Sequence, residues 1–450
     1  MKTTDIRIVA VRTSYDNNRY RTPIKFGGIP LDKATVLNVE CDVVTGDGRV
    51  ATGFGSMPLA NTWAFPSKTL VYEQTHGAMI GLAERFRTVA EGFSEAGHPM
   101  DLGTALEELF LEETSTVGKT LELSEPIPKL AALVSGSAFD AAIHDAYGKV
   151  HGKNCYSCYG RDFLNRDVGS YLGSDYAGDW LDDFVRKDPK PRMPLYHLVG
   201  AVDPLDLGEL TSPVGDGLPE TLEEWIHFNG LTHFKIKLNG DDVSWDLERI
   251  IKIDRIVTET QGPRGIMDWH YSLDFNERCP HVDYLVEMLR TLQERTPDGF
   301  DRVQYIEQPT ARDLKAFPDN RMHTAAKLKP IVIDESLTDL ESLLLAREMG
   351  YTGAALKACK GQTQSMLMAV AIQKLGMFLC VQDLTCPGAS LIHSAGLAAH
   401  IPGVAAIEAN SRQYCPAANT VWEDRFPGIF RVRDGLLDTS CLTGLGLGAV

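Results

Sequence analysis

Gly265-Ile266-Met267-Asp268, Val303-Gln304-Tyr305-Ile306-Glu307 and Ile331-Val332-Ile333-Asp334 are three short apolar runs, each ending in a carboxylate, within Arg264 to Ser336. Each reads as a buried strand, being short, rich in β-branched or aromatic residues and bounded by turn or polar residues. Amphipathic helical patterns such as Val282 to Glu294 lie between them. Strand, helix, strand, with the acid at each strand's C-terminal end, is the layout of a parallel α/β sheet or barrel. In a barrel those ends converge on one mouth.

The same beat extends both ways. Leu231 to Leu238 is a strand carrying Lys235 and Lys237 on one face, because strand side chains alternate. Ala354-Ala355-Leu356-Lys357, Leu379 to Asp383 and Val404 to Glu408 follow downstream. From Lys237 the steps to Asp268, Glu307, Asp334, Lys357, Asp383 and Glu408 are 31, 39, 27, 23, 26 and 25 residues, each the length of one βα unit. Pro194 to Gly200 supplies the first barrel strand, and Thr221 to Asn229 the first helix, capped by Thr221 with Glu224 three residues on.

Three carboxylates in one mouth stay ionised together only if a cation joins them. An all-oxygen set suits a hard divalent ion, Mg²⁺, on Asp268, Glu307 and Asp334. Strands two and six of an eight-strand barrel face each other, so Lys237 and Lys357 flank whatever the metal holds. That arrangement suits removal of a proton α to a carboxylate. Lys235 and the metal disfavour the ammonium form of a neighbouring lysine and so make it a base. The second lysine then returns a proton, giving epimerisation, or assists departure of a β-group, giving elimination. One acid at a strand end is as often a cap or an ion-pair partner; the ordered set of Lys, Lys, Asp, Glu, Asp, Lys carries the reading. Lys360 has the opposite strand parity, so Lys357 is preferred. A metal-independent glycosidase pairing Glu307 with Glu335 is a second reading, weakened because successive strand residues point oppositely. A non-enzymatic binding protein is a third.

The chain has 450 residues, enough for two domains, with 44% apolar and 23% charged residues. A net charge of −17 argues against nucleic acid or an anionic membrane as partner. No run reaches the ~18 apolar residues of a membrane span, and the first residues lack a signal-peptide core, so the expected location is the cytoplasm. Nine cysteines are scattered, and Cys155 with Cys158 has no second such pair, so they read as buried free thiols.

Residues 1 to about 160 read as an α+β domain. Ile6 to Val11 and Thr35 to Val44 are antiparallel strands, and Arg49 to Phe54 returns after the Gly46-Asp47-Gly48 turn. Ser14 to Pro30, with Tyr20, Arg21, Lys25, Phe26 and Gly27-Gly28, reads as a binding or surface loop, and Gly53 to Pro66, with Trp63, as a second. Arg21, Lys25 and Trp63 point to an anionic or polar distal group on the substrate. Helical periodicity runs from Thr69 to Val150; Asp140, His144 and Asp145 on its last helix read as packing groups.

The pieces Lys235-Ile236-Lys237, Met267-Asp268, Tyr305-Ile306-Glu307-Gln308-Pro309, Ile333-Asp334-Glu335-Ser336 and Ala355-Leu356-Lys357 together resemble the enolase superfamily. The likeness is to its mandelate racemase and muconate-lactonizing side, and it covers nearly the whole chain. It implies a modified (β/α)7β barrel over about 161–414. It also implies an α+β capping domain built from 1–160 and a C-terminal tail of about 415–450. It implies Mg²⁺ on Asp268, Glu307 and Asp334, Lys237 and Lys357 as acid and base, Lys235 near a small-molecule carboxylate, loops around Tyr20 to Phe26 and Trp63 that close over it, and a homo-oligomer. With it comes the superfamily's general chemistry, a lysine or histidine base working beside Mg²⁺ that stabilises an enediolate. Two departures bear on specificity. His270 stands where the family commonly has Asn two residues after the first metal ligand. Asp383 stands at the seventh strand end instead of a histidine, favouring the lysine–lysine subgroup, which covers epimerases, cycloisomerases, some dehydratases and succinylbenzoate synthases. His270, Glu335 and Asp383 are therefore expected substrate contacts.

Overall fold

The computed structural model describes residues 2–26 and 29–449, with the backbone alone for 25, 26, 29 and 30. Three long strands open the chain: β1 (Ile6–Phe26), β2 (Ile29–Thr45) and β3 (Val50–Pro58), joined as an antiparallel sheet in that order. On β2, Leu37, Val39, Cys41 and Val43 are buried while Glu40 between them is exposed, the alternation of a half-buried sheet. The segment Ser14 to Pro30 is no loop: β1 and β2 continue as a two-stranded ribbon, with Asn17 opposite Thr35 and Arg19 opposite Lys33. Gly27 and Gly28, and the side chain of Lys25, lie outside the described residues.

The buried face of this sheet lies on the helix Lys129–Val150, which is apolar all round and therefore covered on every side. Two glycines permit the contact. A Cβ on Gly53 would stand 2.0 Å from the carbonyl oxygen of Ala142, and one on Gly55 1.9 Å from that of Ala138. The helices Tyr72–Gly92 and Pro99–Thr120 complete this layer. Asp140, His144 and Asp145 are packing groups. Asp140 accepts from the Thr363 backbone and hydroxyl, and Asp145 from the backbone N–H of Phe54 and Leu447. The second of those bonds ties the C-terminal tail to this helix. Cys155 and Cys158 are buried free thiols.

Among the described residues, eight parallel strands then follow in chain order: β4 (Arg192–Val199), β5 (His233–Lys237), β6 (His270–Asp274), β7 (Val303–Glu307), β8 (Ile331–Ile333), β9 (Gly353–Leu356), β10 (Phe378–Val381) and β11 (Ile407–Glu408). Ile407 pairs with Leu195, closing the barrel, and β12 (Leu436–Asp438) adds to β4 antiparallel. The lumen is filled below its mouth by Tyr196, Tyr305, Val332, Ala355, Cys380 and Ala406, so it is packed and not a pore. The first barrel helix is Leu222–Asn229, with the capping box of Thr221 and Glu224 as expected. No helix among the described residues is long and apolar enough to cross a membrane.

One strand falls elsewhere than expected. Gly265 to Asp268 is a turn: Gly265 has φ of 69° and Met267 is 85% exposed. The strand is His270–Asp274, whose residues pair one for one with His233–Lys237. Pairing with β5 fixes the strand, and the apolar pair Ile266-Met267 lies before it.

Candidate active site

The corrected register changes the carboxylate at the end of β6. Asp268 is exposed at the strand's N-terminal side, 3.6 Å from His270. His270 lies at the bottom of the lumen, its ring 4.8 Å from that of His233. Four residues of strand, about 13 Å, separate His270 from the mouth. Neither residue reaches the other candidates. Asp274 does: it pairs with Lys237 in register and is fully buried. With Asp274 as the strand-end acid, Asn276 stands two residues on, and the departure ascribed to His270 disappears.

Around the mouth the acids and lysines interlock. The Lys235 ammonium lies 3.0 Å from Asp274, 2.8 Å from Glu307 and 2.6 Å from Glu408. Lys237 donates to Asp274 and, at 2.9 Å, to the Asn276 side chain. Across the barrel Lys357 lies 2.8 Å from Asp334. Lys360 also reaches Asp334, at 2.5 Å from its carbonyl oxygen. The parity argument against Lys360 fails because the chain leaves the strand at Leu356 and turns through Ala358–Lys360. Gln308 positions the acid: its Oε1 accepts from the backbone N–H of Asp334 at 3.1 Å. Asn276, Glu277, Gln308 and Thr385, all non-glycine, have positive φ in the segments that leave β6, β7 and β10, and such strained backbone gathers at functional sites.

Trp63, on the turn Asn61–Ala64 after β3, closes the pocket from the other layer. Its ring lies 4.4 Å from the Lys357 ammonium, and its Nε1–H donates to Glu335 at 2.9 Å. Glu335 faces Trp63, and Arg312 ties the turn down by donating to the Trp63 carbonyl at 3.0 Å and to Glu277. Among the described residues the pocket is lined by Lys235, Lys237, Glu307, Asp334, Lys357, Asp383, Glu408 and their neighbours, and Glu335 is not in that lining. The paired-carboxylate glycosidase arrangement is therefore not formed. Asp383 accepts backbone N–H from Thr385, Cys386 and Asn410. Tyr20 is near this end, packed with Leu198, Ile24 and Tyr414. Arg21 is already engaged, with Asp216 at 2.7 Å and Glu220 at 3.6 Å, so it is not held ready for an anion.

Charge is out of balance. Asp274, Glu307, Asp334, Glu335, Asp383 and Glu408 are six acids facing four lysines, Lys235, Lys237, Lys357 and Lys360. Burial pushes Glu335 and Asp383 up to about 7, aided by Asp334 and Glu408 respectively. Burial and then Asp274 push Glu307 well above the usual carboxylate range. Asp274 itself is held low against burial by Lys235 and Lys237. For Lys357, burial disfavours the ammonium, but Asp334 outweighs it and raises the pKa. Burial lowers that of Lys360. Three buried oxygens here, Glu335 Oε2, Gln382 Oε1 and Asn410 Oδ1, have no hydrogen-bond donor. All three are acceptors. The oxygen donors of Asp274, Glu307 and Asp334 on three consecutive strand ends fit a hard divalent cation. Among the described residues no three acids already stand in ligand geometry, and the ammonium groups lie against them instead.

Sequence reading missed Asp274, Asn276, Glu408, Gln382 and Lys360 as members of the site. The signal for Asp274 was there: steps of 37 and 33 residues from Lys237 and to Glu307 are more even than 31 and 39.

Fold and site together define an eight-stranded α/β barrel with lysine and carboxylate groups gathered at the C-terminal ends of its strands. Residues 218–449 match the family described as Enolase C-terminal domain-like, and the chain belongs to that family, within the enolase superfamily. The fold is shared with a dipeptide epimerase from Enterococcus faecalis V583, solved with Mg and L-Leu-L-Tyr. Identity is 14%, TM-score 0.63, with 98% of this chain and 99% of that one covered. The L-Ala-D/L-Glu epimerase from Bacillus subtilis has 16% identity, TM-score 0.60 and 90% of each chain covered. Muconate lactonizing enzyme from Pseudomonas fluorescens has 16% identity and TM-score 0.59, over 99% of this chain and 96% of that one. No curated protein matches the sequence.

Proposed function

We propose that this protein is a Mg²⁺-dependent enzyme that moves the proton α to the carboxylate of a small molecule, by racemisation or epimerisation. The observation that carries this is Lys237 and Lys357, on strands opposite in the barrel order, lining one buried acidic pocket. Asp274, Glu307 and Asp334 would hold the metal, with Asp274 replacing Asp268. When bound, the metal supplies positive charge to the substrate carboxylate as its α-proton leaves. Lys235, already held as an ammonium by three acids, adds a fixed positive charge beside that carboxylate. Lys237 and Lys357 approach the α-carbon from opposite faces, so one removes the proton and the other returns one, inverting the centre. Trp63, over Lys357, and Tyr20, packed on Leu198, exclude water from that exchange. Similarity to epimerases of known structure supports the reading, and their Mg supports the metal. The reading extends to a homo-oligomer, as the family resemblance implies, and to a cytoplasmic location, as the sequence reading expects.

The test is solvent deuterium incorporation at the α-carbon of carboxylates incubated with protein and Mg²⁺. An intact skeleton separates inversion from elimination, which would give a 2-keto acid. Inversion that continues in either Lys237→Ala or Lys357→Ala, or incorporation that survives when both lysines are replaced together, would overturn the assignment.

A further inference from the structure

The strand that carries Lys235 and Lys237 brings a histidine to the other end of the barrel, and its neighbour brings a second. His233 opens β5 and His270 opens β6, and the two are partners in the strand register. Strand side chains alternate, so His233 shares a face with Lys235 and Lys237, and His270 with Ser272 and Asp274. Both imidazoles therefore face the lumen at its lower opening, about 13 Å from the mouth. Asp268, on the turn before β6, stands beside them. Its Oδ1 lies 3.6 Å from the His270 Nε2, and its charge also acts on His233.

Two imidazoles and a carboxylate are donors for a borderline transition-metal dication, not for Mg²⁺. The spacing suits one ion. Donors on a single tetrahedral Zn²⁺, at about 2.0–2.1 Å from it, lie about 3.4 Å apart, and the centres of two imidazoles on it lie about 5 Å apart. The corresponding separations here are 3.6 Å between Asp268 and His270, and 4.8 Å between the rings of His233 and His270. The ring nitrogens can be reached. His233 Nδ1 is bonded to the Thr232 hydroxyl at 3.0 Å. With Nδ1–H donating there, Nε2 keeps the lone pair that a metal needs. Among the described residues that Nε2 has no hydrogen-bond partner, and it is not sealed from solvent. The His270 side chain is 31% exposed, and that of Asp268 almost wholly so. Among the described residues no three ligating groups already converge on one point, and the exposed Asp268 side chain is the one with room to turn in. One histidine beside Asp268 would be an ordinary ion pair. The second imidazole, in register and anchored by its own hydroxyl, makes a chelate.

We infer that His233, His270 and Asp268 form a second metal site, for a borderline divalent ion such as Zn²⁺, at the lower opening of the barrel. The bound ion pins the 265–269 turn to the β5–β6 pair. The site is separate from the oxygen donors at the mouth and does not depend on the reaction proposed there.

The test is calorimetric titration with Zn²⁺ of protein stripped of metal and then given excess Mg²⁺. The parent carries Cys441→Ser, which removes an exposed thiol that would compete for Zn²⁺. His233→Gln and His270→Gln each remove one imidazole, the second from a partly exposed side chain whose loss leaves the core intact. The expected result is one Zn²⁺ per chain that the parent binds with Kd of about 1 µM or tighter and that both histidine variants lack. Asp268→Asn and Thr232→Val weaken it by about tenfold or more, as loss of a group supporting a ligating imidazole does. Asp334→Asn, at the mouth, keeps it. Mg²⁺-induced stabilisation in the two histidine variants matches the parent, which separates failure here from failure of the proposed reaction. Equal Zn²⁺ stoichiometry in the parent and both histidine variants, binding weaker than that in the parent, or a site lost from Asp334→Asn instead would overturn the assignment.

Discussion

Replacing Asp274 by alanine separates the carboxylate that belongs to the site from Asp268, which the sequence pointed to first. Asp274 is fully buried and contacts both Lys235 and Lys237, whereas the Asp268 side chain is 87% exposed. Removing one partner from a buried ion pair costs about 3–5 kcal/mol, because the other charge stays buried. Two features set the value here. Lys235 retains Glu307 and Glu408, and Lys237 retains Asn276. Losing Asp274 also relieves the repulsion that helps push Glu307 upward. Both place the loss near the lower limit, about 3 kcal/mol. Asp268→Ala removes only an exposed acid and changes stability by less than about 0.5 kcal/mol. Urea unfolding of wild type and both variants, followed by circular dichroism with and without Mg²⁺, measures this. The expected outcome is a large loss for Asp274→Ala together with loss of Mg²⁺-induced stabilisation, and wild-type behaviour for Asp268→Ala. Equal shifts in the two variants, or Mg²⁺ stabilisation that disappears with Asp268 and survives without Asp274, would refute the corrected register.

Other expectations follow from the same packing. Gly55→Ala drives a Cβ into the Ala138 carbonyl and lowers stability by about 3 kcal/mol, while Gly46→Ala, with open space around it, changes it little; thermal unfolding of the pair reads the difference. Trp63→Phe keeps a ring over Lys357 but removes the donor to Glu335, costing about 1–3 kcal/mol, and Trp63→Ala costs more by losing the cation–π contact as well; denaturant titration ranks them. Acid weakens the fold through buried histidines. His98, His144 and His197 are pushed down to about 3 and His393 to about 4 by burial, so their contribution is whole above the unfolded value near 6.5 and is lost as pH falls towards those values. Each removes up to about 1.4 kcal/mol per pH unit in that window. Stability measured from about pH 6 to pH 4 falls less steeply in His197→Phe, and an unchanged slope would contradict it.

The barrel was legible because its strands are apolar runs that end in charged residues, and one per βα unit is a rhythm few other folds produce. Glu307, Asp334, Lys235, Lys237 and Lys357 were found from that rhythm alone. Asp274 escaped it because Ile266-Met267 is the more apolar run, whereas the strand His270–Asp274 carries polar residues at alternate positions, facing the lumen. Strand pairing decides such a case, and pairing is not local. Lys360 was set aside by an alternation rule that stops at the end of a strand. The ribbon within Ser14 to Pro30 was unreadable for a related reason: Asp16, Asn17, Asn18 and Arg19 show no apolar alternation of their own, and their pairing with β2, where Ala34, Thr35 and Val36 are buried, is not local. Trp63 was read as part of a loop over the substrate, and its ring lies over Lys357; its bond to Glu335 spans 272 residues and has no trace in spacing.

The central claim is proton transfer by two lysines from opposite faces of one carbon. The most direct measurement is proton NMR of single enantiomers of candidate carboxylates in D₂O with Mg²⁺, using wild type, Lys237→Ala and Lys357→Ala. The account predicts α-deuteration with inversion by wild type. Each variant loses inversion, and exchange persists for only one enantiomer, the opposite one in each case. Inversion that continues in either variant would contradict it.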